Sequence, residues 1–243
     1  MRRHRFLREL HRLVQPRTYL ETGIQRGVSL ALSRVPSIGI DPEFSIEHEL
    51  ATDVHLVRSG SDEFFARPDP LAHLPLPVVD LAFVDGMHLA EYALRDIVAI
   101  ERFTTAGSVI LVDDALPRDV ATTRRVRIGQ ERWTGDVYKV TGALRTLRPD
   151  LVVIEVDTSG TGTLLVLCPD AARDGVLEGY DDWLESVVVP DPQHVPESVL
   201  RRTRAVDPAA LVASSGWATL REARDLPYAE AAPRVRAAFA EFA

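Results

Sequence analysis

A regular alternation of short apolar runs with helix-compatible stretches is the feature that most limits how this chain can fold. The apolar runs have the length and β-branched content of buried strands, and they cover residues 17–23, 37–41, 53–57, 78–85 and 107–114. The helix-compatible stretches between them cover residues 27–34, 44–51, 61–66 and 89–103. Continuous apolar strands that alternate with helices predict an α/β fold, in which helices cover both faces of a parallel sheet.

The pattern changes after the fifth strand. Residues 150–170 read DLVVIEVDTSGTGTLLVLCPD, two apolar runs joined by a turn rich in Gly and Thr. This pattern predicts a β-hairpin, and a helix at about 136–148 precedes it. Five parallel strands are therefore expected to be completed by an antiparallel pair.

Residues 171–243 lack a strand pattern and are rich in Pro, Asp and Ala. Residues 187–199 predict a loop, and the last stretch predicts a helix that is interrupted at Pro227 and Pro233. We therefore divide the chain into a domain over residues 1–170 and a helical appendage over 171–243. The appendage is expected to act as a lid or as the contact of a homo-oligomer.

The charge balance argues against a nucleic-acid partner. The formal net charge is −8 at pH 7, whereas nucleic-acid binders usually present a basic surface. One basic cluster lies near the N-terminus, and we interpret it as the solvated face of a helix: Arg2, Arg3, His4, Arg5, Arg8 and Arg12. A small-molecule partner is the better expectation.

Cysteine content and hydropathy favour a reducing compartment. Cys168 is the only cysteine, which excludes an internal disulfide, and its apolar neighbours predict a buried, unreactive thiol. No stretch approaches the ~18 to 20 apolar residues of a membrane span. The N-terminal basic residues are not followed by the apolar run of a signal peptide. We expect a cytoplasmic protein without a membrane partner.

Small and acidic residues gather where the first two predicted strands end. Glu21, Gly23 and Gly27 lie in the pattern LETGIQRG, and such glycines let a backbone approach a ligand closely. Asp41 ends the second strand, where a carboxylate can accept hydrogen bonds from the ribose hydroxyls of a nucleoside. A turn or a helix cap explains each motif alone, but the pair at consecutive strand ends favours a binding site.

The segment after the third strand, SGSDEFF, supplies Ser61 and Asp62. Either residue can cap a short helix. In a nucleoside site the same residues would bracket the adenine instead. The sequence leaves both interpretations open.

Three carboxylates follow the fourth and fifth predicted strands. Asp85 ends the fourth strand and Asp113 and Asp114 end the fifth, so neighbouring parallel strands would bring all three to one edge. Acids this close raise one another's pKa unless a cation relieves them, and oxygen ligands suit Mg²⁺, Ca²⁺ or Mn²⁺. We therefore predict a divalent metal site at these three residues. Helix capping, or a salt bridge from Asp114 to Arg118, is the simpler alternative.

These features resemble the class I S-adenosylmethionine-dependent methyltransferases over about residues 15–170. The likeness lies in E-x-G-x-x-x-G at 21–27, in Asp41, in the segment near Asp62 and in the closing hairpin. The resemblance implies a Rossmann-like, seven-stranded sheet whose last strand is antiparallel, with S-adenosylmethionine bound across the carboxyl ends of the first four strands. It also implies cofactor contacts from Glu21, Gly23, Gly27, Asp41, Ser61, Asp62 and Asp85.

Within that class, two segments are most similar to the subgroup that contains the macrocin and related sugar O-methyltransferases. The segments read AFVDGMHLAEYALRDI and GSVILVDD, and they are similar more distantly to catechol-type enzymes. This likeness implies methyl transfer to a hydroxyl of a small polyhydroxylated acceptor, such as a glycoside. It also implies a divalent ion, Mg²⁺ before others, that grips two vicinal oxygens of the acceptor.

His88 follows Asp85 by three residues, at the offset where catechol-type relatives carry the catalytic lysine. The sugar-modifying relatives often have a second Asp at the offset of Met87, where this chain has an apolar residue. We therefore predict His88 as the catalytic base, because an imidazole pKa of about 6.5 suits proton transfer at neutral pH. Contact with the cofactor, or a helix cap, is the alternative.

Trp133 lies in the loop before the helix at 136–148, and we predict it as a substrate contact, with a place in the core as the alternative.

Two other functions stay open beside metal-assisted transfer. One is a metal-independent methyltransferase in which His88 acts alone, and the other is a non-catalytic cofactor-binding subunit. A nicotinamide-dependent oxidoreductase explains neither the paired acids Asp113 and Asp114 nor the hairpin.

Overall fold

The computed structural model describes residues 1–129 and 132–243. Its strands are β1 Tyr19–Thr22, β2 Ser37–Ile40, β3 Val54–Val57, β4 Leu81–Val84, β5 Val109–Asp113, β6 Val152–Val156 and β7 Thr163–Leu167. They form one seven-stranded sheet in the order β3-β2-β1-β4-β5-β7-β6. The order reverses direction at β1, where two halves of an open α/β sheet diverge and ligands commonly bind.

The strand directions confirm the predicted sheet. β1 to β5 run parallel to their neighbours, whereas β7 lies antiparallel between β5 and β6. Thr22 at the end of β1 lies beside Val84 of β4, and Val84 lies beside Val112 of β5. The residues that follow these three strands therefore meet at one edge of the sheet.

Helices cover both faces of the sheet, as the sequence predicts. They are α1 Arg3–Val14, α2 Ser61–Phe65, α3 Ala90–Glu101, α4 Lys139–Leu147, α5 Tyr180–Val187, α6 Glu197–Leu200, α7 Pro208–Val212, α8 Gly216–Ala223 and α9 Tyr228–Phe239. α2, α3 and α4 bury apolar side chains on one face, and α1, α7, α8 and α9 bury theirs on the other. The sheet lies between these two layers of helices, and the ends of its strands are left open at one edge.

The connections that follow β1 and β2 differ from the prediction. Residues 44–51 contain no helix, and residues 27–34 contain only a single 3-10 turn. The backbone N–H of Ser45 instead donates to the carbonyl oxygen of Gln25 at 2.9 Å. The two loops hold each other, so these backbone groups are satisfied without a helix.

The last helix also differs from the prediction. α9 begins after Pro227, as expected, but it continues through Pro233, where a break was expected. A proline inside a helix costs one backbone hydrogen bond, and here tertiary packing offsets that cost. Phe239 of α9 is fully buried and packs edge-on against Trp217 of α8, with ring centroids 5.0 Å apart. The role of residues 171–243 as a lid or oligomer contact stays a prediction.

Two further predictions concern Cys168 and the membrane. Cys168 is buried and forms no disulfide, and burial raises the pKa of its thiol to about 12. The thiol is therefore protonated at neutral pH and unreactive, as expected. None of the helices in residues 1–129 and 132–243 has the length and apolar character needed to cross a membrane.

Candidate active site

A cavity of about 290 Å³ opens where β1, β2 and β4 end. We call it the strand-end cavity. Its lining comes from the ends of these strands and the loops after them, from the segment between β3 and α2, from the start of α2 and from α3. Five of the residues predicted from the sequence to contact a nucleoside cofactor line it: Gly23, Asp41, Ser61, Asp62 and Asp85.

The other two predicted cofactor contacts, Glu21 and Gly27, do not line this cavity. Glu21 is fully buried, and its carboxyl group accepts hydrogen bonds from the hydroxyls of Tyr19, at 2.7 Å, and of Ser29. Burial outweighs these hydrogen bonds and raises the pKa of Glu21 to about 8. Gly27 adopts a φ of +78° and packs against Ile46. Both residues shape the loop after β1 from outside the cavity.

Gly23 is required by the close approach of β1 to β4. Its φ is +83°, in the left-handed region that favours glycine. A Cβ atom placed there would lie 1.9 Å from the carbonyl oxygen of Asp85, and that oxygen belongs to the backbone. No rotation of a side chain can relieve this contact, so only glycine fits between the two strand ends.

We expect Gly23→Ala to lower the free energy of unfolding by about 2 kcal/mol or more, from backbone strain and the steric contact together. Gly142→Ala in α4 is the matched control, because a Cβ there meets no atom within 4 Å. The control should be neutral or stabilise by up to about 1 kcal/mol. Urea unfolding of both variants measures the difference, and equal effects would contradict the close approach.

Asp41 and Asp62 already have protein partners. Asp41 accepts hydrogen bonds from the backbone N–H groups of Gln25, at 2.8 Å, and Glu43, at 2.7 Å. Asp62 forms an ion pair with Arg95 at 2.8 Å and is more than half exposed. An ionised carboxylate has about four acceptor positions. Both side chains therefore keep free lone pairs for a ligand in the cavity.

Sequence reasoning missed two residues of α3 that line the cavity, Tyr92 and Asp96. Asp96 is buried and accepts a hydrogen bond from the hydroxyl of Thr22 at 2.9 Å, and burial raises its pKa to about 6. The two residues are four apart, so they lie on the same side of the helix. An acid on the otherwise apolar face of α3 was the signal that would have identified this wall.

A second group of side chains lies beside the strand-end cavity, at the ends of β4 and β5. The Nδ1 atom of His88 lies 2.9 Å from Oδ2 of Asp114, and its Nε2 atom lies 3.2 Å from Oδ1 of Asp85. One potential ligand atom from each residue lies within 4.8 Å of the other two. We call these three residues the carboxylate–histidine cluster.

The backbone is strained at two members of this cluster. His88 has a φ of +55° and Asp114 a φ of +59°, both in the left-handed region. A residue with a Cβ atom pays about 1–2 kcal/mol for that conformation. These sharp turns after β4 and β5 bring the two side chains into contact, and such strain is concentrated at functional sites.

The carboxylates determine the charge of His88. Burial alone would lower the pKa of the imidazole, but hydrogen bonds and attraction from Asp114 and Asp85 outweigh burial and raise the pKa to about 10. Nδ1 also lies 3.0 Å from the carbonyl oxygen of Trp133, which suits an N–H that donates. In this arrangement His88 holds its proton at neutral pH and orients both carboxylates.

Asp113, the third predicted metal ligand, lies outside the cluster. Its side chain contacts the guanidinium of Arg3, and this guanidinium also lies 3.3 Å from Oδ2 of Asp85. Arg3 begins α1, so the basic face of that helix is not only solvated, as was predicted, but sends one arginine into the site. Two protein cations, Arg3 and His88, thus contact the three carboxylates at the strand ends.

Trp133 stacks on His88, with ring centroids 5.1 Å apart and the ring planes inclined by 12°. Its indole N–H donates to the carbonyl oxygen of Arg124 at 2.5 Å. The side chain is half-buried and lines a cavity, so it is not a core residue. Trp133 thus lies beside His88 at the wall of a cavity, and its role as a substrate contact stays a prediction.

A larger cavity of about 820 Å³ adjoins the cluster. His88, Asp114 and Trp133 line it, and Gln25 and Asp85 line both this cavity and the strand-end cavity. We call it the arginine-lined cavity, after six residues of its lining: Arg2, Arg3, Arg26, Arg118, Arg127 and Arg132. The cluster therefore lies between two adjoining cavities.

Comparison with known proteins connects this geometry to a class of enzyme. A family model described as a methyltransferase domain matches residues 20–115, a range that contains the strands β2 to β5 and nearly all of β1. The matched range also contains all three residues of the carboxylate–histidine cluster. No curated protein matches the sequence.

A solved O-methyltransferase shares the fold. The O-methyltransferase TomG from Streptomyces achromogenes, involved in tomaymycin synthesis and solved in complex with S-adenosylmethionine, is 20% identical to this chain. The match has a TM-score of 0.50 and covers 68% of this chain and 78% of TomG. An O-methyltransferase from Bacillus cereus, solved with S-adenosylhomocysteine, is 14% identical, with a TM-score of 0.48 and coverage of 68% and 79%.

The likeness to TomG shows the Rossmann-like methyltransferase fold. The part of that fold that carries the site, residues 20–115, matches a methyltransferase domain. The predicted fold and the predicted methyltransferase domain are thus confirmed, whereas the sugar-modifying subgroup and the metal site stay predictions.

Proposed function

We propose that this protein transfers a methyl group from S-adenosylmethionine to a hydroxyl oxygen of a small polyhydroxylated molecule, such as a glycoside. The observation that carries the proposal is the place of the carboxylate–histidine cluster between two adjoining cavities. One cavity has the lining expected for a nucleoside cofactor, and the other has the size of a small-molecule site. Transfer to a hydroxyl requires a group between donor and acceptor that takes up a proton.

The lining of the strand-end cavity suits the parts of the cofactor. Asp41 would accept the ribose hydroxyls, and Ser61 and Asp62 would border the adenine. Gly23 and Asp85 would border the part of the cofactor that lies nearest the carboxylate–histidine cluster. Gly23 has no Cβ atom and so leaves room for it. Bound S-adenosylmethionine supplies a methyl group on a positively charged sulfur, which becomes a neutral thioether when the methyl group leaves.

The cluster would contribute by taking up the proton. With His88 protonated, three strand-end carboxylates meet two cations, Arg3 and His88, so one net negative charge remains. His88 already carries a proton on each ring nitrogen, so the proton of the acceptor hydroxyl would pass to a carboxylate oxygen of Asp85 or Asp114 as the methyl group is transferred. His88 is hydrogen-bonded to both carboxylates and would position them for this step.

The cluster also suits a divalent cation. Two carboxylate oxygens and an imidazole nitrogen within 4.8 Å of one another are a donor set that Mg²⁺ or Mn²⁺ can use. Asp85, His88 and Asp114 would hold the ion, whereas Asp113 would stay paired with Arg3. A bound cation would lower the pKa of the acceptor hydroxyl and orient its oxygen. Because a ligating imidazole must be neutral, metal binding would also release the proton of His88.

A metal-independent methyltransferase is the second candidate, and one observation favours it. Arg3 and His88 already neutralise much of the charge that a divalent ion would relieve. In that case the cluster itself would take up the acceptor's proton, and Arg3 would stay paired with Asp85 and Asp113.

Titration with Mg²⁺, monitored by tryptophan fluorescence, separates the two candidates. Trp133 stacks on His88, so its emission should respond when His88 becomes a metal ligand, and a Trp133→Phe variant identifies the signal. The metal-assisted form predicts a saturable change that EDTA reverses and Asp114→Asn abolishes. The metal-independent form predicts no such change in fluorescence. It also predicts that methyl transfer is as fast in EDTA as in Mg²⁺.

The reaction itself is tested by incubating the chain with methyl-labelled S-adenosylmethionine and a panel of glycosides and other hydroxylated small molecules. Mass spectrometry should find one O-methylated product and an equal amount of S-adenosylhomocysteine. Label that enters only nitrogen or sulfur of such acceptors would contradict the proposed transfer to oxygen.

A further inference from the structure

We propose that the acceptor carries a phosphate group and that the arginine-lined cavity binds this group while the reacting hydroxyl faces the cluster. The proposal rests on the proposed function, since it describes the acceptor of the same reaction. It adds a chemical class, a phosphorylated small molecule, to the hydroxyl that the reaction requires.

The arginines of this cavity converge from separate parts of the chain. Arg2 comes from the segment before α1, Arg26 from the loop after β1, and Arg118 and Arg127 from the segment after β5. These residues are distant in sequence, so no local sequence pattern explains why they line the same cavity. Their convergence is a property of the folded site.

These side chains have few acidic partners. Among the described residues, no carboxylate lies within 4.0 Å of the guanidiniums of Arg2, Arg118 or Arg127, and Arg26 has only Glu47 at 3.9 Å. Arg118 donates to the carbonyl oxygen of Gly160 at 3.0 Å, which fixes the side chain without neutralising it.

The cavity therefore has a local excess of positive charge in an acidic chain. The net charge of the whole protein is −8. Within residues 1–129 and 132–243, the acidic side chains that line the cavity are Asp85 and Asp114, and both are already paired with His88. Guanidiniums that face one space repel one another, so an anion that enters between them is bound favourably.

The number of arginines favours phosphate over a carboxylate. A phosphate monoester carries a charge of about −1.5 to −2 at neutral pH and three acceptor oxygens, whereas a carboxylate carries one charge. Arginine also matches phosphate geometry with two parallel N–H···O bonds. Several guanidiniums from different directions suit an anion with oxygens on several sides.

The shape of the site favours a small molecule over a nucleic acid. The positive charge lines a concave space of about 820 Å³, which has the size of a small-ligand cavity. Nucleic-acid binding usually uses an extended basic surface, and the net negative charge of this chain opposes it.

Calorimetric titration with inorganic pyrophosphate, at constant ionic strength set with chloride, tests the anion site without knowledge of the acceptor. We compare wild type with Arg118→Gln/Arg127→Gln and with the single variant Arg127→Gln, which leaves the contact to Gly160 in place. The matched control is Arg12→Gln/Arg234→Gln, which removes two exposed arginines outside the cavity.

We expect pyrophosphate to bind wild type and the control equally, with a Kd at least tenfold higher in the double cavity variant and a smaller increase in Arg127→Gln. Lack of binding by wild type, or equal weakening in control and cavity variants, would overturn the proposal. Tighter binding of a single-stranded oligonucleotide than of pyrophosphate to the same arginines would overturn it as well. Titration of the same samples with S-adenosylmethionine keeps the two proposals distinct, because lost cofactor binding with intact pyrophosphate binding contradicts only the methyl transfer.

Discussion

Replacement of His88 by Asn is expected to lower kcat/KM for methyl transfer by about 10²-fold, because the carboxylates that take up the proton lose the group that positions them. Asn tolerates a positive φ better than most residues, so the +55° conformation at this position should survive. Its amide can still donate to one carboxylate, but it carries no positive charge and cannot hold both carboxylates as the imidazolium does. Asp85 and Asp114 then lose the cation that lies between them.

The control for this variant is His73→Asn, which removes an exposed histidine that stacks on His55 outside both cavities. The rates are measured on whichever hydroxylated acceptor the wild type methylates, and the Kd for S-adenosylmethionine is measured in parallel. We expect unchanged transfer in the control and a Kd close to wild type in both variants. Full transfer by His88→Asn would exclude any role of His88 in the reaction.

Replacement of Arg148 by Met is expected to lower the free energy of unfolding by about 3–5 kcal/mol, because it leaves a buried carboxylate without its cation. Arg148 is 1% exposed and Glu101 is 2% exposed. Their two parallel hydrogen bonds measure 2.6 and 2.7 Å, and Glu101 also accepts from the backbone N–H of Asp170 at 2.8 Å. This pair joins the end of α3 to the end of α4 and to the segment after β7.

Arg145→Met is the matched control for this loss. Arg145 lies in the same helix but is 32% exposed, and its partner Glu155 lies 3.9 Å away. Such a pair contributes about 1 kcal/mol or less. Urea unfolding should therefore separate the two variants by several kcal/mol. Equal midpoints would show that the buried pair does not hold the two helices together.

Much of the fold was predictable because its signals are local. Each strand is a continuous apolar run, and the hairpin at 150–170 carries its own turn residues, so neither depends on distant contacts. The secondary-structure predictions were wrong where contacts between distant parts of the chain determine the local conformation. Residues 44–51 bond to the neighbouring loop and form no helix, and α9 keeps its helical form through Pro233 because its buried face packs against α8.

The residues of the candidate site also divide into those that local sequence signals predicted and those that depend on the tertiary structure. Asp85, His88 and Asp114 could be singled out from their positions at strand ends, and the structure brings them together. The separation of Asp113 from Asp114 was not predictable, because it depends on the φ of +59° at Asp114, which turns the two side chains apart. Arg3 was missed because no local pattern shows that the first turn of α1 reaches the ends of β4 and β5.

Calorimetric titration with S-adenosylmethionine, with wild type beside Gly60→Trp, is the most direct test of the central claim that the strand-end cavity binds the methyl donor. Gly60 lines this cavity with a φ of −66°, and a Cβ there would meet no atom within 4 Å. An indole can therefore fill the cavity without backbone strain. We predict one bound molecule per wild-type chain and at least tenfold weaker binding by Gly60→Trp, with an unchanged midpoint of unfolding. Equal affinities, or no binding by wild type, would contradict the account.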